Sequence, residues 1–443
     1  MKRIISFTLL LLFIVPFKAD AEDIIKKDEL LTLQRCVEIA LLKHPTIVAA
    51  QNNVSANQSR VFEAKANYYP QIAANAGYSK IKPLTGTQAV STGTAGTGFS
   101  TSGASFNQYS GSLTLSQLIY DFGKTRSQVA VQQFTLNSSR SDLETTVEQV
   151  LFNVKQAYYG VLQARRNRDV ATDTVKQFQL HLDQAKGFYE VGTHPKYDVT
   201  KAEVDLSNAK LNLIKVENTV KISKVTLNNA MGVPDAPDYT TEDNLAFQKY
   251  EITFAQAIET AYKNRPDLQS AIAKRMSFER SVDLAKTGYY PVLTGNAAYS
   301  RAGSSFPLEE GWNAGVAVTF PIFSGFLTKN QVEEAKANVG VARANEETLK
   351  QNILLDVQQA HLNLMLAEES ISNTELTVKQ ATENFEIANG RYAAGVGNPI
   401  EVADAEVLLA NARTASNQAL YDYKVARASL EKAMGVTYVK RTL

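Results

Sequence analysis

The sequence is poor in residues that interrupt regular structure and in residues that form cross-links. Among 443 residues there are 23 glycines, 12 prolines and one cysteine, against usual shares of about 7% glycine and 5% proline. So few helix breakers predict a chain rich in helix. The lone cysteine, Cys36, excludes an intrachain disulfide. The formal net charge of +1 is unlike the basic balance of a nucleic-acid-binding protein, so no nucleic acid is expected as a partner.

Long apolar runs are also missing. No stretch approaches the ~18 continuous apolar residues of a transmembrane helix. The nearest is Ile4–Val15, which follows the charged start Met1-Lys2-Arg3 and precedes the small-residue cleavage signal Ala19-Asp20-Ala21. This arrangement predicts a secretory signal peptide over residues 1–21.

Enzyme motifs are absent as well. The four histidines are isolated, with no His-Glu-x-x-His pair. Residues 121–125 combine Asp-Phe-Gly with Gly-Lys-Thr, but a phosphate-binding loop needs glycine where this chain has Leu118. We therefore predict no enzymatic activity, no catalytic residue, no cofactor and no metal.

What the sequence does contain is one pattern written twice. Ala64–Pro70 matches Ala285–Pro291 at an offset of 221 residues, and Ala230–Val233 matches Ala433–Val436 at an offset of 203. The difference is an extra Gly/Ser/Thr-rich loop within residues 81–108. The repeats predict a first structural unit over residues 22–250 and a second over residues 251–443.

Each unit contains two segments that alternate apolar and small polar residues. They predict strands at about 70–80 and 109–119 in the first unit, and at about 291–301 and 312–322 in the second. One apolar face and one face of small and hydroxyl residues are typical of strands between lipid and water.

Aromatic residues lie at both ends of these strands, as in the aromatic girdles of membrane barrels. The predicted membrane-interface aromatics are Tyr78, Tyr109, Tyr299 and Trp312 at the loop end, and Tyr120 and Phe323 at the other.

The two longest segments without proline predict the two longest helices, at about 124–191 and 327–394. Their apolar residues step by four and three, which indicates a coiled-coil seam. Each long helix ends at a glycine-containing turn, and a return helix follows at about 196–231 and 399–435.

Four strands per chain cannot close a barrel, and an open sheet edge in lipid leaves backbone groups unpaired at several kcal/mol each. The strands must therefore come from several chains. The fold class we predict is mainly α with a small β part, built from a duplicated helix–strand–strand–long helix–helix unit.

This layout resembles the TolC-type outer-membrane efflux protein family over essentially the whole mature chain. The specific marks are the duplicated element order and the two turn motifs at residues 189–203 and 392–406. The resemblance implies a homotrimeric twelve-stranded β-barrel in the outer membrane, in contact with its lipid, continued by a periplasmic α-helical coiled-coil barrel. It also implies an exit duct for tripartite efflux or type I secretion. A periplasmic adaptor and an inner-membrane transporter of the RND, ABC or MFS type would be its partners.

The resemblance also implies roles for particular residues at the turns. The adaptor-contact tips would be Val191, Gly192 and Thr193 in the first turn, and Ala394, Gly395 and Val396 in the second. Glu401 and Asp404 match carboxylates that ring the constriction. Asp198 and Tyr392 match a tip latch. A further latch arginine of the family is replaced here by Gly397.

Two alternatives remain at this point. The main one is a secreted coiled-coil structural protein without a pore. A stand-alone porin is the other, but its strands would have to dominate the chain, and these do not.

Overall fold

The fold repeats one set of elements twice. The computed structural model describes residues 25–82 and 105–436. The predicted signal peptide and most of the extra loop lie outside these residues. The first set is β1 (Leu30–Leu31), α1 (Leu33–Lys43), α2 (Pro45–Lys65), β2 (Gln71–Ile81), β3 (Phe106–Tyr120), α3 (Lys124–Glu190) and α4 (Lys196–Met231). The second is β4 (Thr240–Thr241), α5 (Phe254–Asn264), α6 (Pro266–Lys286), β5 (Val292–Gly303), β6 (Glu309–Thr319), α7 (Leu327–Ala393) and α8 (Pro399–Ala433).

Several equivalent helices of the two repeats begin with the same kinds of residue or have the same length. The Thr32 hydroxyl accepts a hydrogen bond from the first turn of α1, and Thr253 forms a capping box with Gln256 at α5. α2 and α6 both begin at a proline and are both 21 residues long, while α3 and α7 are both 67 residues long. The predicted fold class, mainly α with a small β part in a duplicated unit, is confirmed.

The chain divides into two compact units. The hairpin unit comprises residues 25–44, 157–246 and 381–417, and it contains both glycine-containing turns. The sheet unit comprises residues 45–82, 105–156, 247–380 and 418–436.

The sheet unit carries a four-stranded antiparallel sheet in the order β2-β3-β5-β6. Its register pairs Tyr78 with Tyr109, Leu113 with Tyr299, and Tyr299 with Trp312. Because paired residues point to the same face, the apolar alternation of all four strands converges on one face. Small and hydroxyl residues share the other face. β2 and β6 are the two edges of this sheet.

The core of the sheet unit is a seam between α7 and α8. Ile353, Val357 and Ala360 of α7 are buried and continue the four–three spacing, and Tyr423 and Leu430 of α8 lie in the same cluster. This is the packing expected of coiled-coil positions. Within residues 25–82 and 105–436, no helix combines the length and the apolar character needed to cross a membrane.

The hairpin unit contains a small feature that the sequence analysis missed. β1 and β4 form a two-stranded parallel sheet. The buried Tyr158 hydroxyl donates to the Glu242 carbonyl at 2.8 Å, and Arg165 donates to the Thr241 carbonyl at 2.6 Å. Strands of two residues carry no periodicity, so only these tertiary contacts reveal them.

Candidate functional site

The two turns of the hairpin unit have the same backbone geometry. Gly192 and Gly395 adopt left-handed conformations, with φ of 75° and 74°. The next amide of each turn donates back to the helix, from Thr193 to the Phe188 carbonyl and from Val396 to the Arg391 carbonyl. These are Schellman caps, and they require a residue that tolerates positive φ.

The predicted adaptor-contact residues lie on these turns. Val191 and Val396 are each 72% exposed, although an isolated valine would gain about 1.5–3 kcal/mol from burial. Thr193 is exposed as well, and its hydroxyl donates to the Phe188 carbonyl at 2.9 Å. The two turns thus present exposed apolar side chains on rigid caps.

The predicted latch residue Tyr392 is at the centre of an aromatic cluster. Its side chain is fully buried. Its ring centroid lies 4.8 Å from that of His181, 5.5 Å from that of Phe188 and 6.0 Å from that of His194. The Tyr392 hydroxyl has no hydrogen-bond partner within the described part of the chain. Burial, and secondarily the charge of Asp198, raise the pKa of Tyr392.

The other predicted latch residue, Asp198, bonds to a different partner. Its Oδ2 lies 3.0 Å from Nδ1 of His194, four residues earlier in the same hairpin. A direct hydrogen bond between Asp198 and Tyr392 is therefore not formed in this protomer. The two residues are linked through His194, which holds the carboxylate and contacts the tyrosine ring.

Gly397, where the resemblance would place a latch arginine, lies tightly against the backbone of the turn. A Cβ there would lie 2.6 Å from the Tyr392 amide nitrogen and 2.8 Å from the Arg391 carbonyl carbon. No side chain fits this close backbone approach. Nη1 of Arg391 lies 3.2 Å from Oε2 of Glu401, with both side chains about half exposed.

The predicted constriction carboxylates share one side of α8. Glu401 and Asp404 are exposed, while Val402, Ala403 and Ala405 between and beside them are buried. The three-residue spacing places the two carboxylates next to each other on the helix surface.

A buried carboxylate near this site was missed by the sequence analysis. Glu406 is 5% exposed, and its Oε2 has no hydrogen-bond partner within the described ranges. Burial raises the pKa of Glu406 to about 7, opposed by a hydrogen bond with Thr174 and by the charge of Arg413. Its equivalent in the first repeat, Glu203, is exposed. The sequence shows two equivalent glutamates and gives no sign of this difference.

Glu406 shares a small cavity with His181. The cavity measures about 50 Å³ and is lined also by Gln177, Phe385 and Asn389. Nδ1 of His181 has no hydrogen-bond partner in the described structure either. Burial lowers the pKa of His181, so that its neutral form is favoured. A polar cavity of this size can hold an ordered water that satisfies both groups.

The predicted membrane-interface aromatics lie on the sheet unit. At one end of the strands the Tyr78 and Tyr109 rings are 5.1 Å apart, and Tyr299 accepts a hydrogen bond from Arg301. At the other end Tyr120 packs edge-on against Phe122 at 4.7 Å. Trp312 and Phe323 are 79% and 76% exposed. Such exposure of large rings is typical of surfaces that meet another molecule or a lipid phase.

Comparisons with known proteins agree with this architecture. The sequence matches the family described as "Outer membrane efflux protein" over residues 36–233 and 257–436. The outer membrane protein TolC of Escherichia coli K12 is 23% identical and aligns over 91% of this chain and 82% of its own length. The solved structure of the Campylobacter jejuni CmeC outer membrane channel superposes with a TM-score of 0.76, at 19% identity, over 92% of this chain and 86% of that one. That of CusC gives a TM-score of 0.78 at 18% identity, over 91% and 92%.

The match to this family thus defines an outer-membrane transport protein rather than an enzyme. The chain belongs to the outer membrane efflux protein family. Membership of this family also argues against the alternative of a secreted coiled-coil protein without a pore.

Proposed function

We propose that three copies of this chain form a passive outer-membrane exit duct for a tripartite efflux or type I secretion system. The observation that carries this proposal is the four-stranded sheet with one apolar face and two open edges, β2 and β6. In lipid the edges must pair with other strands. Three such sheets supply twelve strands, enough for a closed barrel with an aqueous interior.

The helical part would extend into the periplasm and end at the two turns. There the exposed Val191 and Val396 support contact with a periplasmic adaptor, because apolar side chains on rigid caps lose little entropy on binding. The adaptor would link the duct to an inner-membrane transporter. Engagement of the turns would open the duct.

Glu401 and Asp404 would form the ring of the constriction. Threefold symmetry would bring together six carboxylates, which favour cations over anions. We expect the purified protein to form cation-selective channels in planar bilayers, with selectivity reduced in the double variant Glu401→Gln/Asp404→Asn. The matched control is Glu203→Gln, which removes one exposed carboxylate from the first return helix. Unchanged selectivity in the double variant would remove both residues from the lumen.

The latch would act through the packing of Tyr392 and the anchoring of His194 by Asp198. Tyr392→Ala removes the buried ring and should raise the conductance of the resting channel. Tyr392→Phe removes only an unpaired hydroxyl and should leave the conductance unchanged. Tyr189→Phe, at the equivalent and exposed position of the first repeat, should also leave the conductance unchanged. Asp198→Asn should raise conductance through release of His194. If Tyr392→Phe opens the channel as far as Tyr392→Ala, the latch depends on the hydroxyl and this account is wrong.

A further inference from the structure

The sheet unit contains a polar groove at the junction of its strands and helices. The groove measures about 530 Å³ and lies between the start of α3 and the end of α6. We call it the interface groove. The lining residues that matter here are Phe122, Arg126, Arg280, Asp283, Lys286 and Tyr290.

The groove carries an excess of positive charge. Arg280 and Lys286 share one counter-ion, Asp283, at 3.2 and 3.7 Å. Arg126 forms no ion pair with any residue that the structure describes, and its side chain is exposed. Three cations and one carboxylate leave a net charge of +2, and such basic pockets favour phosphate-bearing groups.

One end of the groove is aromatic and continues the apolar face of the sheet. Phe122 and Tyr290 stack at 5.7 Å, and Phe122 also packs on Tyr120. Tyr120 pairs with Leu293, which belongs to the apolar face. The cations therefore lie just beyond the end of a lipid-type surface. An amphipathic ligand with an anionic head and apolar chains matches this arrangement better than a free anion.

The position of the groove keeps it clear of the sheet edges. α3 follows β3 and α6 precedes β5, and these are the two central strands. In the trimer of the proposed function, on which this inference rests, neighbouring chains pair at β2 and β6. Strand pairing thus leaves the groove uncovered.

We propose that the interface groove binds the phosphate of an anionic phospholipid in the periplasmic leaflet. Arg126, Arg280 and Lys286 would surround the phosphate, and Phe122 and Tyr290 would contact the glycerol and the start of the acyl chains. The site would fix the depth of the channel in the membrane.

Native mass spectrometry of the full-length protein in a nonionic detergent tests this inference. Phosphatidylglycerol should bind up to one molecule per protomer and more tightly than phosphatidylcholine with the same acyl chains. The double variant Arg126→Gln/Lys286→Gln should bind phosphatidylglycerol about 30-fold more weakly, since each basic residue near an anionic lipid contributes roughly fivefold. The control variant Arg140→Gln/Lys274→Gln removes two charges from the same two helices outside the groove and should bind normally.

Three results would overturn the inference. They are equal affinity for the two lipids, unchanged phosphatidylglycerol binding by the groove variant, and full displacement of the lipid by millimolar inorganic phosphate, which would make the site one for free anions. If the variant does not assemble, the test is how phosphatidylglycerol binding by the wild type depends on salt. Screening should weaken the headgroup contacts, so binding that salt leaves unchanged would contradict the inference. The same spectra report the oligomer. Absence of trimers contradicts the proposed function, whereas trimers without lipid preference contradict only the groove.

Discussion

The buried carboxyl of Glu406 should make the stability of the hairpin unit depend on pH. Burial raises the pKa of Glu406 from its ordinary value of 4.5 to about 7. Each pH unit between these values corresponds to about 1.4 kcal/mol. Keeping Glu406 ionised in the folded unit therefore costs about 3–4 kcal/mol.

The sign of this effect follows from proton binding. Between pH 4.5 and about 7 the folded unit holds a proton on Glu406 that the opened chain has released. Stability must fall as the pH rises through this window, and the full cost is present above it. His181 changes the pH dependence of stability in the opposite direction. Burial lowers its pKa below the ordinary 6.5, so stability is lost as the pH falls below that value.

Comparison of Glu406→Gln with the wild type isolates the contribution of the Glu406 carboxyl to stability. The contribution of His181 is present in both proteins and cancels in their difference. Well above pH 7 the variant should be more stable against local opening by about 3–4 kcal/mol, or roughly 300-fold in the opening equilibrium. Near pH 4.5 the two proteins should agree within a few-fold.

Hydrogen exchange of the first turns of α8, measured by mass spectrometry at both pH values, gives this difference directly. Glu203→Gln is the matched control, since the equivalent side chain in the first repeat is exposed and its loss should change protection little at either pH. If Glu406→Gln changes protection by the same factor at both pH values, the Glu406 carboxyl does not titrate with opening.

Two further substitutions test particular contacts. Gly397→Ala places a Cβ against the Tyr392 backbone at 2.6 Å and should destabilise the second turn by about 1–3 kcal/mol, seen as faster hydrogen exchange there. Gly390→Ala, in open space on α7, should instead stabilise by up to about 1 kcal/mol. Tyr423→Phe removes the donor of a part-buried hydrogen bond to the Gln248 carbonyl, 2.6 Å away, and should cost about 0.5–1.5 kcal/mol in a thermal unfolding assay, whereas Tyr197→Phe, at an exposed site, should be neutral.

The sequence predicted those parts of the fold that rest on periodicity. The period-two pattern identified the faces of the strands, and the observed register pairs Tyr78 with Tyr109 and Tyr299 with Trp312 on the face that the pattern predicts. The four–three spacing identified the buried seam of α7. Both patterns are local, and burial of one face is enough to produce them.

What the sequence did not reveal depends on long-range contacts and on asymmetry between the repeats. Tyr392 is buried while its equivalent Tyr189 is 46% exposed, and Glu406 is buried while Glu203 is exposed. Equivalent residues in a duplicated chain meet different neighbours once the two copies pack together. The close approach that excludes a side chain at position 397 likewise appears only in the backbone of the turn.

The central claim is that open edges β2 and β6 of three chains pair with one another. It can be tested with cysteines introduced at Ala74 on β2 and, in turn, at Ala314 or Val316 on β6, after replacement of the single native cysteine by Cys36→Ser. Oxidation in native membranes should give a reducible ladder of covalent species that stops at the trimer. A ladder that continues past three chains, or monomers alone at every cysteine pair, would contradict the account.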